Sequence, residues 1–281
     1  MGKKGKKGKK GKGKKIIPLF NKEQKIENLF LKKRATTNLR SVLQSIYHDY
    51  VNLETTCKHT LTCCKTAMPS INYSEFQQII TVLWNKLSKD EKINLICKSV
   101  EYFFKNEYKK WGMDTLMKPC ALLDEKGLCV AYGDRPLNCR LYGLWPQDEY
   151  NQRVDKFEKA YEQFGLKRSE LPLNTQCPNV KRIDESVPLT IELINELFKK
   201  LDDLDKDVGE FTTLQVEQKE NYRTIYDWLL LKVYGEEWMV MLTTFILAAT
   251  REQMEDQIVK LKTAIMDAFS KKDLPDIGKS F

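Results

Sequence analysis

The sequence predicts a mainly α-helical protein, with a helical body and a cysteine-rich irregular insert that contains a short β-hairpin. Apolar residues recur at three- and four-residue steps before Tyr108 and again after Pro188, as on the buried face of amphipathic helices. Between about residues 113 and 187, prolines interrupt the chain and apolar runs are short. We therefore expect loops and one hairpin in the middle of the chain, with helices on either side.

Periodicity and capping residues place the helices that precede the insert. Residues Asn21–Leu53 read as one amphipathic helix, or as two with a break near residues 35–38. A second helix is predicted over Ser74–Leu87, because the sequence SEFQ at its start has the spacing of a capping box. A third is predicted over Ser88–Tyr108, because Glu91 follows the first residue at the same spacing.

The hairpin is predicted from a turn between two short apolar runs. Cys120–Leu123 and Leu128–Tyr132 read as strands. Asp124–Gly127 reads as the four-residue turn that joins them, with glycine at its end.

Helical patterns return over Thr190–Leu204, about Glu220–Tyr234 and Glu236–Phe269. The last of these contains the longest apolar run, Trp238–Ala249, at 12 residues. Because a membrane-spanning helix needs about 20 apolar residues, this run predicts a buried helix and no transmembrane segment. The pattern of a secretory signal is also missing near residue 15, so we expect a cytoplasmic protein.

Positive charge is concentrated at the N-terminus. The 281 residues include 47 Lys and Arg against 39 Asp and Glu, a net charge of +8. Residues 1–15 hold nine of the lysines and no acid, so the other 266 residues carry a net charge of −1. We expect a disordered Lys/Gly tail before a near-neutral body. The tail could contact nucleic acid or an anionic surface, or it could serve only to solubilise the protein.

Eight cysteines in a reducing compartment require an explanation other than disulfides. Cys97 lies on the apolar stripe of the third helix and reads as a small buried hydrophobe. The other seven lie in turn-like or irregular sequence, where a thiol is a liability unless something binds it. They are the candidate metal ligands Cys57, Cys63, Cys64, Cys120, Cys129, Cys139 and Cys177.

Thiolate-rich sites favour zinc or iron over hard cations, so we expect a zinc ion or an iron centre, including a 4Fe-4S cluster. The hairpin would bring Cys120 beside Cys129, and Cys139 follows after a turn at Arg135-Pro136. Neighbouring residues seldom reach one ion, so the adjacent pair Cys63 and Cys64 would bind different metals, or one of the two would bind none. The chain contains no C-x-x-C, and scattered structural thiols are the alternative to a metal site.

The central stretch resembles the YkgJ-type cysteine-cluster family, a zinc- or iron-chelating domain. Residues 119–142 read PCALLDEKGLCVAYGDRPLNCRLY, which is similar to the family's order of Cys, apolar pair, Asp, Cys, aromatic residue, Arg-Pro, Cys and Arg. Cys63-Cys64 fits an early Cys pair, Glu75 an acidic position after it, and Cys177-Pro178 a closing Cys-Pro. The resemblance departs at its front, where only Cys57 precedes the pair; His59 is a candidate substitute for the missing ligand.

The resemblance implies chelation of zinc or iron without an assigned reaction. A branch with a related cysteine pattern, flagellin lysine-N-methylase, makes an iron–sulfur methylase or a redox enzyme the alternative. A helical interaction module with structural zinc and a nucleic-acid-binding tail is a third hypothesis. Two side chains are candidate cofactor contacts: Tyr132 could pack over the centre, and Arg135 could hydrogen-bond a carbonyl or a thiolate sulfur, or be a solvated turn residue.

We accordingly divide the chain into three parts. Residues 1–15 are the tail, and residues 16–187 form a helical and cysteine-cluster metal-binding domain. Residues 188–281 form a C-terminal helical region that packs on that domain.

Overall fold

The computed structural model describes residues 39–48, 51–57, 64, 69–106, 119–162, 180–208, 223–271 and 274. Within these ranges the protein is mainly helical, which confirms the predicted fold class. The helices are α1 (Leu39–His48), α2 (Tyr73–Lys86), α3 (Lys89–Phe104), α4 (Leu137–Arg140), α5 (Gln147–Glu162), α6 (Ile191–Val208), α7 (Ile225–Tyr234), α8 (Glu236–Ala248) and α9 (Arg251–Lys271). The predicted tail, residues 1–15, and the helical pattern before Leu39 lie outside the described residues.

A small antiparallel sheet joins two distant segments. Strand β1 (Ser70–Ile71) pairs with β2 (Arg223–Thr224), with Ser70 opposite Thr224. The indole N–H of Trp228, on α7, donates to the carbonyl of Ile71 at 3.0 Å, so the sheet is also held from the helix that follows it. The sequence did not predict these strands, because two residues are too short for an alternating pattern.

Two apolar clusters hold the helices together. The first core is formed by α2, α3, α7, α8 and α9, with Phe76 and Trp228 stacked at its centre and 6.2 Å between their ring centroids. The second core is formed by α1, α4 and α6, and it includes Tyr47 and Leu137. These two clusters bury the amphipathic faces that the periodicity predicted.

The N-terminus of α2 differs from the prediction. The helix begins at Tyr73 with Asn72 as its cap residue, whereas Ser74 and Gln77 were expected to form the capping box. The Asn72 N–H donates to the carboxylate of Glu75 at 3.1 Å. Ser74 is instead fully buried inside the first turn, and its N–H donates to Asp205 of α6 at 2.7 Å.

The cap predicted for α3 is confirmed. The Ser88 hydroxyl accepts from the N–H of Glu91 at 3.3 Å, and the Glu91 carboxylate accepts from the N–H of Ser88 at 2.7 Å. The long helix predicted over Glu236–Phe269 is wrong in one respect, because it is two helices. A second capping pair, Thr250 with Gln253, starts α9 immediately after α8 ends.

Helix α5 contradicts the expectation of loops throughout the insert. It is strongly polar, and Val154 is buried within it at 4% exposure. A helix with so few apolar residues has no clear apolar stripe, which is why periodicity missed it. The N–H of Tyr150 bonds to the carbonyl of Pro146 in its first turn at 2.9 Å, a position where proline is well tolerated.

Helix α8 buries one face and exposes the other, although apolar residues occur on both. Trp238, Leu242 and Ile246 are buried, whereas Val240 and Leu247 are 46% and 67% exposed. The prediction of a buried helix is therefore wrong for one of its faces. Among the helices in the described ranges, none combines the length and apolarity of a membrane span.

Candidate metal centre

The predicted hairpin exists as a tight turn with one bridge. Leu123 and Cys129 form an antiparallel bridge, and the N–H of Asp124 donates to the carbonyl of Leu128 at 2.9 Å. The Asp124 carboxylate also accepts from the N–H of Leu128 at 2.8 Å, and Gly127 has a φ of 76° that suits glycine. The turn over Asp124–Gly127 is therefore confirmed, but the flanking residues do not extend into strands.

Cys64 lies against this hairpin. Its carbonyl accepts from the N–H of Cys120 at 2.6 Å, although 56 positions separate the two residues. Cys120 is buried at 8% exposure, and Cys64 and Cys129 are half-buried at the edge of the first core. The structure thus brings three of the predicted ligand residues, from two distant segments, to one region of the core.

Cys57 joins the same region through Tyr132, in the single-turn 3-10 helix over Tyr132–Asp134. The Tyr132 hydroxyl donates to the carbonyl of Cys57 at 3.1 Å. The Arg135 guanidinium lies over the Tyr132 ring at 3.9 Å from its centroid, and its Nε donates to the Tyr132 carbonyl at 3.1 Å. Arg135 therefore bonds a carbonyl, which was one of the two partners expected for it.

Cys139 lies half-buried on α4, beside the second core. The next residue, Arg140, is buried at 4% exposure, and its guanidinium lies over the Tyr47 ring at 4.5 Å from the centroid. It donates to the carbonyls of Arg135 at 2.8 Å and Gly133 at 3.2 Å. Burial lowers the pKa of Arg140, while the negative charges of its neighbours, Cys139 included, act in the opposite direction.

The carboxylate of Glu75 lies under the same helix. It is 3% exposed, and its Oε1 accepts from the Tyr47 hydroxyl at 2.5 Å and from the N–H of Leu137 at 2.6 Å. Its Oε2 accepts from the N–H of Asn72, as described above. Burial raises the pKa of Glu75 to about 7 in spite of these donors, because a charge away from water is costly.

The other residues singled out from the sequence do not join this region among the described residues. Cys63, Cys177 and His59 lie outside the described residues. Cys97 is buried at 4% exposure on α3, as predicted, and its thiol lies 3.9 Å from the carbonyl of Lys262. Within the described ranges, the Cys, His, Asp and Glu side chains include no group of three arranged to hold a metal ion.

The donor chemistry of the region nevertheless fits a soft metal. The residues brought together, Cys64, Cys120 and Cys129, carry thiols, which favour soft and borderline metals over hard cations. Such a centre would take its remaining ligands from the other predicted cysteines. Zinc and iron are the metals that this donor set suits.

Comparison with known families agrees with this chemistry. Residues 56–163 match the family model CxxCxxCC, described as "Putative zinc- or iron-chelating domain". The resemblance to a cysteine-cluster family is confirmed. The match includes six of the seven candidate ligand cysteines and excludes Cys177. Neither a curated protein nor a solved structure matches the chain.

Sequence reasoning missed the polar residues that surround α4. Arg140 occurs in the family motif without an assigned role, and Tyr47 is one of the apolar positions in the helical pattern over Asn21–Leu53. The signal for Arg140 was its place directly after a candidate ligand. Tyr47 carried no local signal, because its partner Glu75 lies 28 positions away.

Proposed function

We propose that the protein binds a zinc or iron centre through its cysteine thiolates. Cys64, Cys120 and Cys129 are the first ligands of this proposal, and Cys57, Cys63, Cys139 and Cys177 supply the others. The observation that carries it is the backbone hydrogen bond between Cys64 and Cys120, which joins two distant cysteines within a segment that matches a chelating domain.

A metal in this position would act as a crosslink. Cys120 and Cys129 pack on the first core, and Cys64 is bonded to Cys120 through its carbonyl. Coordination by thiolates of Cys64 and of the hairpin would hold Cys64 on the helical body. Because the site would not exist in the unfolded chain, the binding energy would also stabilise the fold.

We further propose that the metal-binding domain spans residues 16–187 and that residues 188–281 pack on it. Helix α6 contributes Leu197 and Leu201 to the second core beside α1 and α4. Helix α7 places Trp228 against Phe76 in the first core. Both contacts join the C-terminal helices to elements that come before residue 187.

Anaerobic purification followed by metal analysis and an absorption spectrum tests the proposal. Stoichiometric zinc in a colourless protein would identify a zinc site. Broad visible absorption with stoichiometric iron and sulfide would identify an iron–sulfur cluster. A wild-type protein that retains neither zinc nor iron would contradict the proposal.

Single substitutions test the ligands. The variants C120S and C129S should lose most of the bound metal, because serine is a poor ligand for these ions. The matched control is C97S, a change of a buried thiol on α3 that lies outside the proposed ligand set. Metal content unchanged in C120S and C129S would exclude these two residues as ligands.

A further inference from the structure

Helix α4 is too short to be stable by its own hydrogen bonds. It has four residues, Leu137–Arg140, and one helical turn does not repay the cost of its nucleation. Its cap residue is Pro136, which has no side-chain group that could cap the helix. The position of Cys139 therefore depends on contacts that α4 makes with other elements.

Glu75 supplies the missing cap from a different helix. Its Oε1 accepts the first N–H of α4, that of Leu137, at 2.6 Å, and the same atom accepts the Tyr47 hydroxyl at 2.5 Å. A carboxylate at the N-terminus of a helix satisfies a donor that has no partner within the helix. One buried oxygen thus links α1, α2 and α4 immediately before Cys139.

Arg140 fixes the other side of Cys139. Its guanidinium is held by the carbonyls of Gly133 and Arg135 and lies against the Tyr47 ring. The cation and the Glu75 carboxylate thus face Tyr47 together, and both are buried. Their opposite charges make each less costly to bury. The positive charge also lies on the residue next to a thiol that would be anionic as a ligand.

We propose that Glu75, Tyr47 and Arg140 are positioning residues for Cys139, holding its thiolate toward the metal centre and offsetting part of its charge. Outer contacts of this kind orient ligands and tune the affinity of metal sites. The inference rests on the proposed thiolate centre. It assigns the charge-offsetting contribution to Arg140, whereas Arg135 bonds the Tyr132 carbonyl.

Cobalt binding to the metal-free, reduced protein tests this inference. Co²⁺ replaces zinc in thiolate sites, and the intensity of its thiolate-to-metal charge-transfer band follows the number of coordinating sulfurs. The variants E75Q and Y47F should lose band intensity to the level of C139S and should bind Co²⁺ several-fold more weakly. Arg140 is left intact, because its removal would leave buried carbonyls without donors.

Matched controls separate positioning from general destabilisation. D205N also replaces a buried carboxylate by an amide. Asp205, on α6, accepts from Asn72, Tyr73 and Ser74 at the start of α2, and these three residues are not part of α4. Y234F removes the hydroxyl of a tyrosine that packs at the first core. Both controls should keep the full band intensity, even where they lower the free energy of unfolding.

The outcomes distinguish this inference from the proposed function. Wild-type intensity in both E75Q and Y47F, or in C139S itself, would overturn the inference while leaving the other ligands in place. A wild-type protein without any charge-transfer band would contradict the proposed function. In that case, the rate at which the Cys139 thiol is alkylated in the metal-free protein tests whether Glu75 and Tyr47 position it. Several-fold faster alkylation in E75Q and Y47F than in the controls supports it, and equal rates overturn it.

Discussion

Replacement of Gly235 by alanine should destabilise the protein through backbone strain alone. Gly235 is the single residue between α7 and α8, and its φ of 82° and ψ of 172° lie in a region that is accessible essentially only to glycine. A Cβ at this position would have no heavy atom within 4 Å, so no steric contact contributes. The expected effect therefore comes from the dihedral angles of one residue.

The magnitude follows from two opposing effects. Holding a non-glycine residue in such a conformation costs about 1–3 kcal/mol. The lower conformational entropy of alanine in the unfolded chain returns roughly 0.4–1 kcal/mol. We expect G235A to lower the free energy of unfolding by about 1–2 kcal/mol, which corresponds to a decrease in Tm of roughly 2–8 °C for a domain of this size.

Urea denaturation followed by circular dichroism measures this difference, with G133A as the control. A Cβ on Gly133 would also have no heavy atom within 4 Å, but this residue does not have a positive φ. Its substitution should change the free energy of unfolding by less than about 0.5 kcal/mol. Equal effects of G235A and G133A would refute the reasoning from backbone strain.

Three further predictions concern capping and buried carboxylates. S88A should cost about 1 kcal/mol in unfolding free energy, because Ser88 caps α3, and a Thr substitution should restore most of it. D205A should cost about 3 kcal/mol or more by denaturant titration, since three donors at the N-terminus of α2 lose their acceptor; a cost below that of S88A would argue against the cap. The folded pKa of Glu75, about 7, lies above its ordinary value of 4.5, so the native state holds this proton more tightly. Stability should therefore fall as pH rises from about 4.5 to 7, by about 3 kcal/mol in total. Stability curves of wild type and E75Q that stay parallel across this range would contradict the shift.

Local signals in the sequence located features that depend on neighbouring residues. The Ser88–Glu91 pair was found because both partners lie within one turn of the helix that they cap. The turn over Asp124–Gly127 was found for the same reason, since its aspartate and glycine act on their own loop. The apolar stripes of α1, α3 and α6 were found because periodicity records which face is buried.

Features set by distant partners were missed or misplaced. The start of α2 is fixed by Asp205, which lies 131 positions from Ser74, so the local SEFQ pattern pointed to the wrong cap residue. The expectation of loops failed at α5 because a polar helix carries little apolar periodicity. In the candidate site, the thiol-bearing positions were visible from composition and family resemblance. The Glu75–Tyr47–Arg140 arrangement was not, because it joins three separate segments.

The chain from Cys120 to Leu141 runs from the first apolar cluster to the second, which affects the cooperativity of unfolding. Cys120, Leu122 and Ala131 belong to the first core, whereas Leu137 and Leu141 belong to the second. This short stretch of chain therefore joins the two clusters, which Glu75 and Asp205 also link by hydrogen bonds. A metal bound by thiolates on both sides of Pro136 would couple them into one transition. Its removal should lower the cooperativity of unfolding, which calorimetry would measure as a broader thermal transition.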